Sequence, residues 1–162
     1  MNSDSENIVV SETGQGKYQV EARVGDAAIL IDEPVAVGGL GAGPNPYNLL
    51  AAALGACTTM TIRLYADRKG WPLTHVETAV RHTRASVAAR DSFALEIRLE
   101  GALDAQQRAR LMEIAEKCPV HLTMARGSDV SATLLPPAAD VPPPVSGPAH
   151  VKCMVEACAD SG

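Results

Sequence analysis

Gly43-Pro44-Asn45-Pro46-Tyr47-Asn48-Leu49-Leu50-Ala51-Ala52-Ala53-Leu54-Gly55-Ala56-Cys57 reads as the opening of one long helix. Asn45 suits the N-cap, and Pro46 suits the first helical position, where a missing N–H costs nothing. The helix is predicted to run to about Lys69, where Gly70-Trp71-Pro72 stops it. From Leu49 to Ala56 every residue is Leu, Ala or Gly, so the sequence predicts a helix buried on all sides there. The charges from Arg63 to Lys69 return its second half to solvent.

Upstream, Asp32-Glu33-Pro34 through Pro46 is broken by four Gly and three Pro and reads as a loop. Before it, residues from about Ile8 to Ile31 read as two or three short antiparallel strands, with Gly25-Asp26 suited to a tight hairpin. Downstream, Thr74 to Arg84 and Ser92 to Glu100 read as strands. The second alternates Phe93, Leu95, Ile97 and Leu99 with polar or small neighbours. Asp104 with Gln107 forms a capping-box pattern for a helix that carries Leu111, Ile114 and Ala115 on its apolar face. A short helical turn from Pro119 to Arg126, stopped by Gly127, and a last strand from Val130 to Leu134 complete the predicted order. The expected organisation is one domain over residues 1–135. A Pro-rich linker and a Cys-containing tail follow over 136–162.

Of the 162 residues, 46% are hydrophobic, enough for one substantial core, but only one Phe, one Trp and three Tyr are present. Few rings for base stacking and a net charge of −5 argue against a nucleic-acid partner, and the same charge argues against an anionic membrane surface. The acidic start, Met1-Asn-Ser-Asp-Ser-Glu, has no apolar region of a secretory signal, and no unbroken run of 18 apolar residues occurs, so the expected compartment is the cytoplasm. In that reducing setting four cysteines read as inert core thiols, metal ligands or redox groups rather than static disulfides.

Cys57 lies about three turns into the long helix, too deep for its N-terminal dipole to activate it directly. Cys118 sits at the break before Pro119, a place suited to a resolving sulfur. The residues alone leave both open as small buried hydrophobes.

The string from Gly43 to Pro72, with Gly55-Ala56-Cys57 at its centre, resembles the central helix of the OsmC/Ohr family, especially its OsmC-like branch. Asp32-Glu33-Pro34 and Lys117-Cys118-Pro119-Val120-His121 resemble two further landmarks, so the likeness spans about residues 8 to 134 in order. It implies an α+β fold of strongly curved antiparallel sheets wrapped around two central helices, with two subunits intertwined as a homodimer. It also implies Cys57 as the peroxidatic nucleophile, Cys118 as the resolving thiol and an organic hydroperoxide as substrate. A lipoyl-like dithiol is the implied reductant, and no metal or organic cofactor is needed. Leu49, Leu50, Leu54 and Met60 are candidate lining for an apolar pocket.

The family places a Glu nine or ten residues before the first Cys to orient a thiolate-stabilising Arg, where this chain has Asn48 and Tyr47. Arg23 is the nearest candidate for that cation, with an ordinary surface role as its alternative, and Lys17 is a weaker one. The departure leaves two other functions open: a non-enzymatic small-molecule-binding protein of the same fold, and a thiol redox sensor. His121 is a candidate base for Cys118 or a structural side chain. His75 and His82 fall on opposite faces of one strand and cannot chelate a metal together. In the tail, Cys153 and Cys158, with His150 and Glu156 nearby, fall short of a closed zinc site. They read as an unreactive tail or as a dithiol shuttle on a semi-rigid, extended linker.

Overall fold

The structure, a computed structural model, describes residues 6–137 and 139–159; the acidic start from Met1 to Ser5 lies outside them. The chain is α+β with antiparallel sheets, and it forms two compact units. Among the described residues, one comprises those from Glu6 to Leu49 together with those between Asp129 and Ala149, and the other Leu50–Ser128 with those from His150 to Ala159.

In the first unit β1 (Val9–Glu12), β2 (Val20–Val24) and β3 (Ala27–Ile31) form an antiparallel sheet in that order. The pair Val24↔Ala27 closes over Gly25-Asp26, and Gly25 takes the φ of 56° that the tight turn requires. Ala22 and Ile31 are buried. Asp32 follows at 1% exposure, and its carboxylate accepts the backbone N–H groups of Glu33, Leu40 and Ala42 at 2.8, 3.0 and 3.3 Å. Burial raises its proton affinity, but those N–H groups and Gln19 outweigh this and hold the carboxyl below its ordinary pKa. Asp32 therefore folds the Gly-rich loop back on itself.

The strand expected from Val130 to Leu134 does not form. The segment is irregular, with Val130 and Leu134 exposed at 92 and 96%. β-branched residues make a strand only against a neighbouring edge, and this segment takes none. The Pro-rich run beyond it is nonetheless fixed. Asn7 and Val145 exchange both backbone hydrogen bonds, and the Asn7 side chain donates to the carbonyls of Pro142 and Pro143 at 2.7 Å each. Proline has no N–H, so its carbonyl is the group a partner can hold.

α1 (Pro46–Lys69), which belongs to the second unit from Leu50 onward, begins as the sequence predicts, with the Asn48 N–H bonded to Asn45 Oδ1 at 2.9 Å. It ends in a Schellman arrangement: Gly70 at φ 63° donates to Asp67, and Trp71 donates to Ala66. The expectation of burial on all sides is not met. Leu54, Cys57, Thr58, Thr61, Ile62 and Tyr65 form one buried stripe at helical spacing, whereas Leu50 and Met60 are about half exposed and Ala52, Ala53 and Ala56 are exposed. Alanine, small and indifferent to burial, made the composition apolar without making each face a packing face. By length and mean hydropathy (1.4) α1 meets the requirement for a bilayer span, a test that a core helix also passes.

β4 (Leu73–Thr83) and β5 (Ser92–Gly101) form an antiparallel hairpin, followed by α2 (Ala105–Ala115) with the expected capping box between Asp104 and Gln107. Ile62, Leu111 and Ile114, none of them exposed, centre a large aliphatic cluster with Tyr65, Leu73 and Val76; each such side chain contributes about 1.5–3 kcal/mol by burial. After α3 (Pro119–Arg126), the terminal segment forms α4 (Ala149–Ala159), where the sequence reading offers only an unstructured tail or a mobile dithiol. Met154 and Cys158, four apart, are its buried side chains, and Cys158 joins the aliphatic cluster; Cys153 is exposed.

Candidate active site

Cys57 lies on the buried stripe of α1 and Cys118 at the N-cap of α3, and the fold brings the two together. They are 1 and 0% exposed and, with Leu54, make a small buried cluster flanked by Val80, Phe93, Leu95, Val120 and Met124. All four cysteines of the chain are free thiols. Pro119 has no N–H to offer, so Val120 is the first residue of α3 that can donate, and its N–H reaches Cys57 Sγ at 3.4 Å.

The two thiols share a hydrogen bond, and this sets their titration. Cys118 is lowered to about 6 because the Cys57 thiol donates to it. The backbone N–H groups of His121 and Val120 and the Thr58 hydroxyl add to the effect, against the cost of burial. Cys57 is pushed up by that same hydrogen bond and by burial, against Val120 and Thr61. The first proton thus leaves the pair easily and the second with difficulty, so one negative charge is shared across two sulfurs near neutral pH.

Beside the cluster lies a pocket of about 170 Å³ whose apolar lining is Leu54, Phe93, Leu95 and Met124 and whose polar lining includes Arg90, Asp91 and His121. Of the four side chains expected to line a pocket, only Leu54 does so here; Leu50 and Met60 sit at 46 and 50% exposure on the outer side of α1, and Leu49 belongs to the other unit. At the hairpin end Asp91 is clamped by Arg84, Nε to Oδ1 at 2.7 Å and Nη2 to Oδ2 at 2.8 Å, and by His82 Nε2 at 2.7 Å. Arg84 first and His82 second hold its carboxyl well below the usual range. His82 in turn stacks on Phe93 with ring centroids 4.7 Å apart.

Residue-level reading of the sequence missed Arg84, Arg90, Asp91, Phe93, Leu95 and Met124 as site residues, and treated His82 only as a failed metal ligand. The strand alternation carried part of the signal, since it put Phe93 and Leu95 on the core face. The hairpin register His82↔Phe93 needed to complete it depends on the turn. His75 is exposed and His82 half-buried, on opposite faces as expected. His121 lines the pocket and its backbone N–H serves Cys118. Arg23, on β2, is exposed and paired with Glu21 at 2.8 Å, Lys17 lies over the Tyr18 ring, and Asn48 is exposed in the first turn of α1. Among the described residues no group of three His, Cys, Asp or Glu is placed to hold a metal ion.

The family model described as OsmC-like protein matches residues 39–133, more than half of the chain. The fold is similar to that of an OsmC-like protein from Mycoplasma pneumoniae, with 18% identity, 76% of this chain and 89% of that chain covered, and a TM-score of 0.64. It is similar also to a protein assigned to the osmotic-stress and detoxification response in Psychrobacter arcticus, with 23% identity, 76 and 91% coverage and a TM-score of 0.65. A third similar structure is an organic hydroperoxide resistance protein from Legionella pneumophila, with 24% identity, 73 and 88% coverage and a TM-score of 0.56. At these identities the structures establish a shared fold. Among curated proteins none matches the chain in sequence.

Proposed function

The chain belongs to the OsmC-like protein family, and from that premise we propose that its buried dithiol reduces organic hydroperoxides. The observation that carries the reading is the pair itself: two free thiols, one on α1 and one at the N-cap of α3, packed together in a buried apolar cluster beside a pocket. An aliphatic or aromatic tail suits the Leu54, Phe93, Leu95 and Met124 lining better than hydrogen peroxide does.

In the proposed reaction Cys118 takes up the proton of the pair and leaves Cys57 as the thiolate. Cys57 Sγ attacks the distal peroxide oxygen, the O–O bond breaks, and the departing alkoxide takes the proton held by Cys118 and leaves as the alcohol. The Cys118 sulfur, now deprotonated, displaces hydroxide from the sulfenic acid, which takes a proton from solvent to become water and leaves a Cys57–Cys118 disulfide. A lipoyl-like dithiol, available in the proposed cytoplasmic setting, restores both thiols by exchange and is itself oxidised. Arg23 is the proposed cation for the thiolate. The exposed apolar side of α1, with Leu50 and Met60, supports a homodimer in which a partner subunit covers it.

Consumption of cumene hydroperoxide and of hydrogen peroxide, with dithiothreitol or dihydrolipoamide as reductant, tests the reading on wild type, Cys57→Ser and Cys118→Ser. Faster turnover of the organic peroxide, lost in Cys57→Ser, is the expected result. A single slow oxidation without cycling would instead favour the redox sensor, a reading that the near-complete burial of both sulfurs supports. Unreactive thiols would leave a binding protein.

A further inference from the structure

Thr58 and Thr61 are 0% exposed, and their Oγ1 atoms are the buried side-chain oxygens that find no hydrogen-bond partner among the described residues. A helical Thr ordinarily returns its hydroxyl to a carbonyl one turn back, and neither does so here. An unpartnered buried hydroxyl is costly and uncommon, so two of them on one helix turn call for a physical reason. Their positions supply it. Thr61 is one turn beyond Cys57 on the same face of α1, and Thr58 follows Cys57 directly on the buried stripe.

We propose that Thr58 and Thr61 are thiolate-holding residues of the dithiol, whose hydroxyls swing onto the sulfurs of Cys118 and Cys57 respectively when the pair ionises. With neutral thiols each hydroxyl lacks a strong acceptor. When charge appears on sulfur, the rotor has one within reach, so the hydrogen bond forms mainly in the reactive state and favours it. Both hydroxyls lie near enough to the sulfurs to bear on the titration in the direction required, Thr58 lowering Cys118 and Thr61 opposing the rise of Cys57, although neither meets hydrogen-bond geometry with the thiols as they stand. The device suits a cluster otherwise walled by Leu54, Val80, Phe93 and Leu95. The assignment rests on the pair being a redox centre, but its test involves no peroxide, so the two readings fail separately.

The charged and titratable groups around the pair are His121 on α3, Lys117 ahead of Cys118, and Arg90 and Asp91 at the hairpin end, the last held by Arg84 and His82. The substitutions leave all of these in place. The full reduced chain carrying Thr58→Val or Thr61→Val would be titrated by thiolate ultraviolet absorbance, with site-resolved iodoacetamide labelling of Cys57 and Cys118. Each Val variant should fold with an equal or higher melting temperature and raise the midpoint of the pair by about 0.5–1 pH unit, a roughly three- to tenfold loss of thiolate below the midpoint. Thr58→Ser and Thr61→Ser should restore it. Folded Val variants with an unshifted midpoint would overturn the proposal, as would Ser variants that shift as far as Val. If a Val variant does not fold, Thr→Ala at the same site reads the same midpoint; failure of both to fold would assign the hydroxyl to the fold and overturn the proposal.

Discussion

Helix α1 contributes to two buried clusters that are built for different ends. Toward its C-terminal half it meets Leu73, Val76, Leu111 and Ile114 in a large aliphatic cluster, where Cys158 of α4 is also buried. At its middle it meets Cys118 in a cluster of three, bordered by a pocket and by two hydroxyls without hydrogen-bond partners among the described residues. The same residue type behaves oppositely in the two places. Burial, the largest cause, raises Cys158 even though Arg68 and Lys117 oppose it, whereas hydrogen-bond donors bring Cys118 down to about 6. Burial alone makes a thiol inert; burial among donors makes it acidic.

That contrast can be broken first by function. Cys57→Ser should lower peroxide turnover at least about a hundredfold while the melting curve stays close to wild type, as the serine occupies nearly the same volume. A comparable loss of stability and activity together would mean that the small cluster is structural after all.

The reverse substitution belongs to the large cluster. Leu111→Ala, at a site with no exposure, should cost about 2–5 kcal/mol in urea denaturation and leave the thiolate midpoint of the pair where it was. A shifted midpoint would show that the two clusters are one mechanical body.

Helix starts and stops were legible in particular residues: Asn45-Pro46 and Gly70 for α1, Asp104 with Gln107 for α2, and Cys118-Pro119 with Gly127 for α3. Each is a local hydrogen-bond or φ requirement that a few adjacent residues satisfy. Contacts that depend on register or on docking were not legible. The sequence shows Cys57 and Cys118, yet only the packing of α3 beside α1 joins them, and the Arg84–Asp91 clamp exists only because the hairpin turn sets its two ends opposite each other. α4 escaped because the prolines ahead of it dominated the reading, although Met154 and Cys158 at four-residue spacing were the sign of a buried helical face.

A subtler test separates the thiols by pH. In the reduced protein, iodoacetamide labelling of the Cys57–Cys118 pair should rise around pH 6, while Cys158 should stay unlabelled well above neutrality. The stability linkage has a definite sign. The depressed Cys118 contributes stability that is fully present above the ordinary thiol value of 9.0 and is lost as pH falls through about 6. Cys57, raised, contributes stability that is present below 9.0 and lost as pH climbs beyond it. Denaturation midpoints under reducing conditions should therefore rise from pH 6 toward pH 9 by this pair's contribution. The Cys118→Ser chain should lose that slope.

The smallest expected effect lies at the pocket rim. Asp91→Asn should leave turnover of a small peroxide within about threefold of wild type, because the clamp is partly open to water and its ion pairs are screened. It should also remove the dependence of hairpin hydrogen exchange on acid. In wild type the depressed Asp91 carboxyl supports the hairpin above the ordinary carboxylate range, and that support fades as pH falls through its lowered folded value.

The clasp between Asn7 and the Pro142–Val145 segment has a consequence for how the chain is made. Its partners lie about 135 positions apart, so no growing chain can close it until Val145 has left the ribosome. The hairpins and helices between them need only near neighbours and are free to assemble earlier. The clasp and α4, which starts at Ala149 and settles against its cluster, therefore close later than the elements between them.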